Sequence, residues 1–232
     1  MMHKPVRLGW AVSGRGETLR GVFNAHEAGL IRSAIHCVVT DRPADIEAFL
    51  VKRNVPTVRI EGRSTDRNFQ TAFKEVIAAH QLDWIGLTFN RLLSKDVIDA
   101  IDGRIFNLHM ALLPAFPGFG AIQKALESGV RLTGVTVHLV DAGIDTGPIL
   151  AQGVSPVGAK ESLDQLGRRL FETSLPMVLQ VVRSIELGEI TLDADRRPTW
   201  PRADHVASMR TWFPPIDDDI VEFAKRFCAA TP

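Results

Sequence analysis

Leu8-Gly9-Trp10-Ala11-Val12-Ser13-Gly14-Arg15-Gly16-Glu17-Thr18-Leu19 begins as an apolar run, turns on two glycines and enters an amphipathic stretch. A strand, a glycine turn and a helix in direct succession make the first half of a βαβ unit. Glycine lets such a turn bring backbone N–H groups close to a ligand, and the positive end of the helix that follows favours an anion. The plainer reading is a turn that only joins two elements. The dinucleotide fingerprint needs a third glycine three residues after Gly16, where this chain has Leu19, so the pattern does not favour a nicotinamide cofactor. Glu17 is awkward for an anion site. A first-turn carboxylate suits the helix dipole but repels a bound phosphate.

The alternation continues outward. Residues 35–40, 58–60, 84–89, 104–109 and 135–140 read as further strands, and 18–28, 45–53, 69–80 and 121–128 as helices. Residues 161–187 predict one long helix, with Leu163, Leu166, Leu170, Leu175, Val178 and Val182 spaced to bury a single face. The expected fold is α/β: an open, mostly parallel twisted sheet with helices on both faces. After Leu187 the pattern weakens and prolines accumulate. We expect a catalytic domain over 1–190 and an irregular carboxyl-terminal appendage over 191–232.

Composition narrows the function classes. The chain has 232 residues, 45% hydrophobic and 23% charged, with 27 basic against 27 acidic side chains. A neutral chain has no general pull on nucleic acid or an anionic membrane. Two cysteines, Cys37 and Cys228, are too few for a disulfide framework or a cysteine-based zinc site and suit a reducing compartment. No apolar run approaches the roughly 20 residues that span a bilayer, and Met1–Arg7 is too short and polar for a signal peptide. The expectation is a cytoplasmic protein of undetermined oligomeric state, with neither nucleic acid nor membrane as partner.

Chemistry concentrates near two strand ends. Asn107-Leu108-His109 closes a strand, and residues two apart on a strand share a face. An amide donor therefore converges with an imidazole, the usual general acid or base at neutral pH. Asp141-Ala142-Gly143-Ile144-Asp145-Thr146-Gly147-Pro148 follows the next strand. Asp145 is placed to orient the His109 ring and raise its pKa. His138, inside a strand, reads as a buried structural residue. The oxygen spacing of 141–147 is not that of an EF-hand, and no metal is assigned.

Asn107-Leu108-His109, Leu112-Leu113-Pro114, Phe116-Pro117-Gly118, Thr133-Gly134-Val135-Thr136-Val137-His138 and the run 141–148 together resemble the folate-dependent formyltransferases. The resemblance spans residues 6–190. It implies a Rossmann-like fold and transfer of a formyl group from 10-formyltetrahydrofolate to a primary amine. That amine is first of all phosphoribosylglycinamide in purine biosynthesis. A sugar-amine formyltransferase, a formyltetrahydrofolate deformylase and a non-catalytic folate- or nucleotide-binding protein are the alternatives. By the same resemblance the catalytic trio falls on Asn107, His109 and Asp145. The substrate phosphate loop falls on Gly14, Gly16, Glu17 and Thr18, and the folate contacts on Arg67, Asn90, Arg91, Leu92, Leu93 and Asp141. The family's loop usually has Ser and Asn where this chain has Glu17 and Thr18. Residues 210–219 are faintly similar to a segment of sugar-amine formyltransferases.

Overall fold

A computed structural model describes residues 6–200 and 212–231. The run that opens the sequence forms strand β1 (Leu8–Val12), and every residue of it is buried. It lies parallel between β2 (Ile35–Thr40) and β4 (Trp84–Thr88). β3 (Thr57–Arg59) extends the sheet beyond β2, and β5 (Ile105–His109) extends it beyond β4, again in parallel. Beyond β5 the direction alternates. β6 (Leu132–Leu139), β7 (Ile149–Pro156) and β10 (Trp212–Phe213) each add antiparallel. The spatial order is β10-β7-β6-β5-β4-β1-β2-β3. A short ribbon of β8 (Thr191–Leu192) and β9 (Pro198–Thr199) stands apart.

Helices cover both faces because successive strand residues point to opposite sides. Leu8, Trp10 and Val12 pack into a core with α1 (Glu17–Glu27), α2 (Ile46–Val51), α6 (Leu163–Glu186) and α7 (Asp218–Ala230). Ala11, Cys37 and Val39 pack into the other core with α3 (Arg67–Ala79) and α4 (Lys95–Asp99). Each fully buried Leu, Val or Phe stabilises the fold by about 1.5–3 kcal/mol relative to exposure. The long helix predicted from its leucines is α6. Its start is fixed by a capping box in which Ser162 and Gln165 bond each other's backbone N–H.

Gly86 shows how tightly the middle of the sheet is filled. Trp10 and Phe106 meet edge to face above it, ring centroids 5.7 Å apart, and a β-carbon there would lie 2.5 Å from the Trp10 ring and 2.8 Å from Phe106. Gly86→Ala is expected to lower stability by about 1–3 kcal/mol through overpacking, measured as a lower urea midpoint at unchanged slope. An unchanged midpoint would show that both rings can shift aside.

The carboxyl-terminal stretch differs from the irregular appendage expected after residue 190. Ile220, Ala224 and Cys228 recur every fourth residue, and α7 buries that stripe against α1 and α6. Arg183 of α6 pins its start, with its guanidinium on Asp217 at 3.0 Å, on Asp219 at 2.7 Å and on the Leu30 carbonyl at 2.8 Å. β10 meanwhile pairs with β7 at the sheet edge. The expectations for residues 1–5, 201–211 and 232 fall outside the described residues. Among those described, no helix is long and apolar enough to cross a membrane.

Candidate active site

From β1 the chain moves toward β2 and β3, and from β4 it moves the other way to β5. The loops after β1 and β4 therefore part, and a crevice opens at the carboxyl ends of these strands, where open α/β sheets bind ligands. Here it is a cleft of about 770 Å³. Along one arm stand Leu87, Phe89, Leu92, Leu93 and Val140, an apolar wall bordered by the loop 141–145. The other arm is formed by Gly16, Glu17 and Thr18 with Ile122 and, from α6, Gly167 and Phe171. Asn107, His109, His138 and Asp145 lie on the cleft wall together with both arms.

β5 and β6 place the polar cluster. Their antiparallel register sets Asn107 opposite His138 and His109 opposite Thr136. Asp145 comes from the loop after β6 and bridges two imidazoles. Its Oδ2 is 3.1 Å from His109 Nδ1, and its Oδ1 is 3.5 Å from His138 Nε2. The Gly118 N–H donates to the same carboxylate at 2.7 Å. Asp145 adopts a left-handed backbone, φ 54°, which costs a residue other than glycine about 1 kcal/mol or more. The short polar side chain of Asp tolerates that region better than most. Gly147 is required nearby, since a β-carbon there would collide with the Leu139 carbonyl.

The protons follow from partners. His138 Nδ1 lies 2.8 Å from the Leu139 carbonyl, so this nitrogen carries the hydrogen. In the neutral ring Nε2 then accepts from the Asn107 amide at 3.2 Å. One Asn107 N–H is spent on His138 and the other is free for the cleft. His109 faces acceptors on both sides, Asp145 at Nδ1 and the Phe116 carbonyl at Nε2, 2.9 Å away. Burial nevertheless holds its pKa below the ordinary histidine value and outweighs the Phe116 carbonyl and the Asp145 charge. The expectation that Asp145 would raise this pKa is thus corrected: Asp145 pushes upward, but desolvation wins. Burial also works against the Asp145 carboxylate. There, the neighbouring His138 ring and the bond from the Gly118 N–H prevail and keep its pKa low.

The other expected residues divide. Asn90, Arg91, Leu92 and Leu93 line the cleft. The loop that carries them is tied down by Leu92 N–H donating to Ser64 Oγ (3.0 Å) and Ser94 N–H to Gln70 Oε1 (2.9 Å). Asp141 also lines the cleft, yet its carboxylate accepts from Gly143 N–H and the Thr146 hydroxyl, so it shapes its own loop. Gly16, with φ 68°, starts α1 and has no side chain to cap it, which leaves first-turn amides for a ligand. Gly16 also sits so close to Ile46 that a β-carbon would fall 2.8 Å from it. Gly14 is in the turn but not on the cleft wall, and Thr18 is buried. Arg67 begins α3, exposed and away from the cleft wall. The residue that sequence reasoning set aside is His138. Its signal was the register opposite Asn107, which requires the antiparallel β5–β6 pairing to be known.

Residues 6–182 match the formyl transferase family model. The chain belongs to the formyl transferase family. A phosphoribosylglycinamide formyltransferase of Mycobacterium tuberculosis is 35% identical over 191 residues, 81% of this chain and 88% of the relative. The crystal structure of glycinamide ribonucleotide transformylase 1 from Symbiobacterium toebii superposes with a TM-score of 0.79 at 30% identity, covering 84% of this chain and 94% of that one. Its counterpart from Geobacillus kaustophilus gives 0.73 at 33% identity, covering 79% and 100%. The mostly parallel Rossmann-like architecture read from the sequence is the fold of these relatives.

Proposed function

We propose that this formyltransferase moves the formyl group of 10-formyltetrahydrofolate to the amine of phosphoribosylglycinamide. The observation that carries the reading is one carboxylate, Asp145, bridging His109 and His138 beside Asn107 in a switch-point cleft. The donor's fit is chemical. Leu87, Phe89, Leu92, Leu93 and Val140 offer an apolar slot for a flat heteroaromatic ring, and the loop backbone around Asp141 offers polar partners for its edge.

As the acceptor amine attacks the formyl carbon, negative charge gathers on the formyl oxygen. The free Asn107 N–H stabilises it, and a well-aimed donor of this kind contributes about 3–4 kcal/mol. His109, neutral because it is buried, takes the proton the amine sheds and returns it to the departing folate nitrogen. Asp145 stabilises the imidazolium in between. The proton passes at Nε2, so the acceptor displaces the Phe116 carbonyl that Nε2 faces in the free protein. Neither cysteine enters this scheme: both are buried, and burial pushes their thiols up to about 11.

The acceptor is tested with a panel of glycinamide ribonucleotide, an amino sugar and water, reading folate product by absorbance. Release that needs the ribonucleotide supports the reading. Release in water alone or only with the amino sugar overturns it in favour of a deformylase or a sugar-amine enzyme. Glu17 makes a sharper expectation. It lies on the wall of the arm where α1 begins, and a phosphate there meets its charge. Glu17→Ser with Thr18→Asn is expected to lower the KM for the ribonucleotide about fivefold, the size of a screened, partly exposed charge contact near 1 kcal/mol. kcat should stay within about twofold, because ground state and transition state carry the same phosphate. An unchanged KM would show that Glu17 turns away from the ligand.

A further inference from the structure

Asp41 follows β2, outside the cleft wall, and its side chain has no exposure to solvent. A bare buried carboxylate is costly, so its partners matter. Arg42 holds it with two bonds, Nε to Oδ1 at 3.0 Å and Nη2 to Oδ2 at 2.7 Å. Arg91 Nε donates to Oδ2 at 2.8 Å. Ser13 is among the groups that favour the ionised carboxylate, and its Oγ accepts from the Asn90 N–H at 2.9 Å. Ser13 belongs to the glycine turn after β1, and Asn90 and Arg91 to the loop after β4. Those loops are the two lips that separate at the switch point.

We infer that Asp41 is a positioning residue: a buried carboxylate that anchors the 90–93 loop through Arg91, beside the Ser13–Asn90 bond that ties the same loop to the glycine turn, and so sets the width of the cleft. Burial makes the clamp rigid, since charge-assisted bonds in a site without water are stronger than on the surface. Arg42 closes the solvent side, with half of its own side chain exposed. The residue touches neither reacting group. Its effect reaches the reaction through the placement of Asn90 and Arg91, which makes it a matter of donor binding before chemistry. Burial works against ionisation of Asp41, yet the Arg42 bonds and the neighbouring Ser13 hold its pKa below the usual carboxylate range.

The kinetic half of this inference rests on the reading under Proposed function; the structural half does not. The test uses the full chain with Asp41→Asn, and with Ser13→Ala as a second variant that opens the clamp from the other side without disturbing the buried ion pair. Hydrogen exchange of the 89–94 segment is measured in the free protein, and donor KM and kcat with 10-formyltetrahydrofolate and glycinamide ribonucleotide. In Ser13→Ala the Asn90 amide loses its acceptor, and in Asp41→Asn the loop loses the Arg91 anchor, so in both variants exchange within 89–94 should be about fivefold faster, the size of a lost hydrogen bond. In Asp41→Asn the donor KM should rise about tenfold with kcat within about threefold. Unchanged exchange in Asp41→Asn and Ser13→Ala overturns the clamp, and so does a fall in kcat at constant donor KM. A wild-type protein that neither binds nor uses the donor would refute the functional reading, while the exchange measurement would still decide the clamp.

Discussion

His109→Ala lowers turnover by about 10²–10⁴-fold, the range of general acid–base catalysis, while donor affinity stays within about threefold of wild type. The asymmetry follows from where the ring sits. His109 is 7% exposed, with one nitrogen on Asp145 and the other on the Phe116 carbonyl. It contributes little surface to a bound folate and most of its effect to the proton's path, so the loss belongs to the transition state. Saturation binding of tetrahydrofolate and single-turnover kinetics separate the two quantities. A variant that keeps more than about a tenth of wild-type activity contradicts a proton-transfer role for this residue.

Asp145→Asn is the second large effect, a fall of about tenfold to a hundredfold, typical for removing the partner that orients a catalytic group. Its pH dependence has a definite sign. Burial already holds the His109 pKa below the ordinary value, and the Asp145 charge is one of the influences pushing it back up. Removing that charge lets the pKa fall further. If neutral His109 is the base, activity rises as pH climbs through this pKa, and the acidic limb of the profile in Asp145→Asn moves to lower pH. An NMR titration of the His109 ring checks the same shift directly. A ring that titrates as in wild type shows that the 3.1 Å contact carries no charge coupling.

The parts of this molecule that depend on short-range pattern were readable from the chain. The apolar run of β1, the glycine turn and the leucine spacing of α6 each announce themselves within a few residues. Asn107 and His109 share a strand, and their face follows from a period of two. What escaped depends on partners distant in sequence. β7 (Ile149–Pro156) has Gln152, Gly153 and Ser155 among its apolar residues, which blurs alternation, and its place is fixed by pairing with β6. α7 has a clear stripe in Ile220, Ala224 and Cys228, but it follows Pro214-Pro215 and three aspartates, which read as a loop. His138 looked structural because nothing in its own strand says that Asn107 stands opposite.

The direction of the His109 pKa was missed for another reason. A carboxylate beside an imidazole suggests a raised pKa when the two are considered alone. How far desolvation opposes it depends on Phe116, Gly118 and the surrounding loop closing over the ring. That closure is tertiary. Asp41 was invisible on the same grounds, since Arg91 meets it from a loop 50 residues away.

The most direct measurement follows the carbon itself. 10-Formyltetrahydrofolate labelled with ¹³C in its formyl group is incubated with the protein and glycinamide ribonucleotide, and the products are resolved by NMR. The proposed function predicts the label in a new formamide on the ribonucleotide amine, formed by wild type and lost in Asn107→Ala and His109→Ala. Label recovered as free formate, or formamide formed at the wild-type rate by both variants, would contradict it.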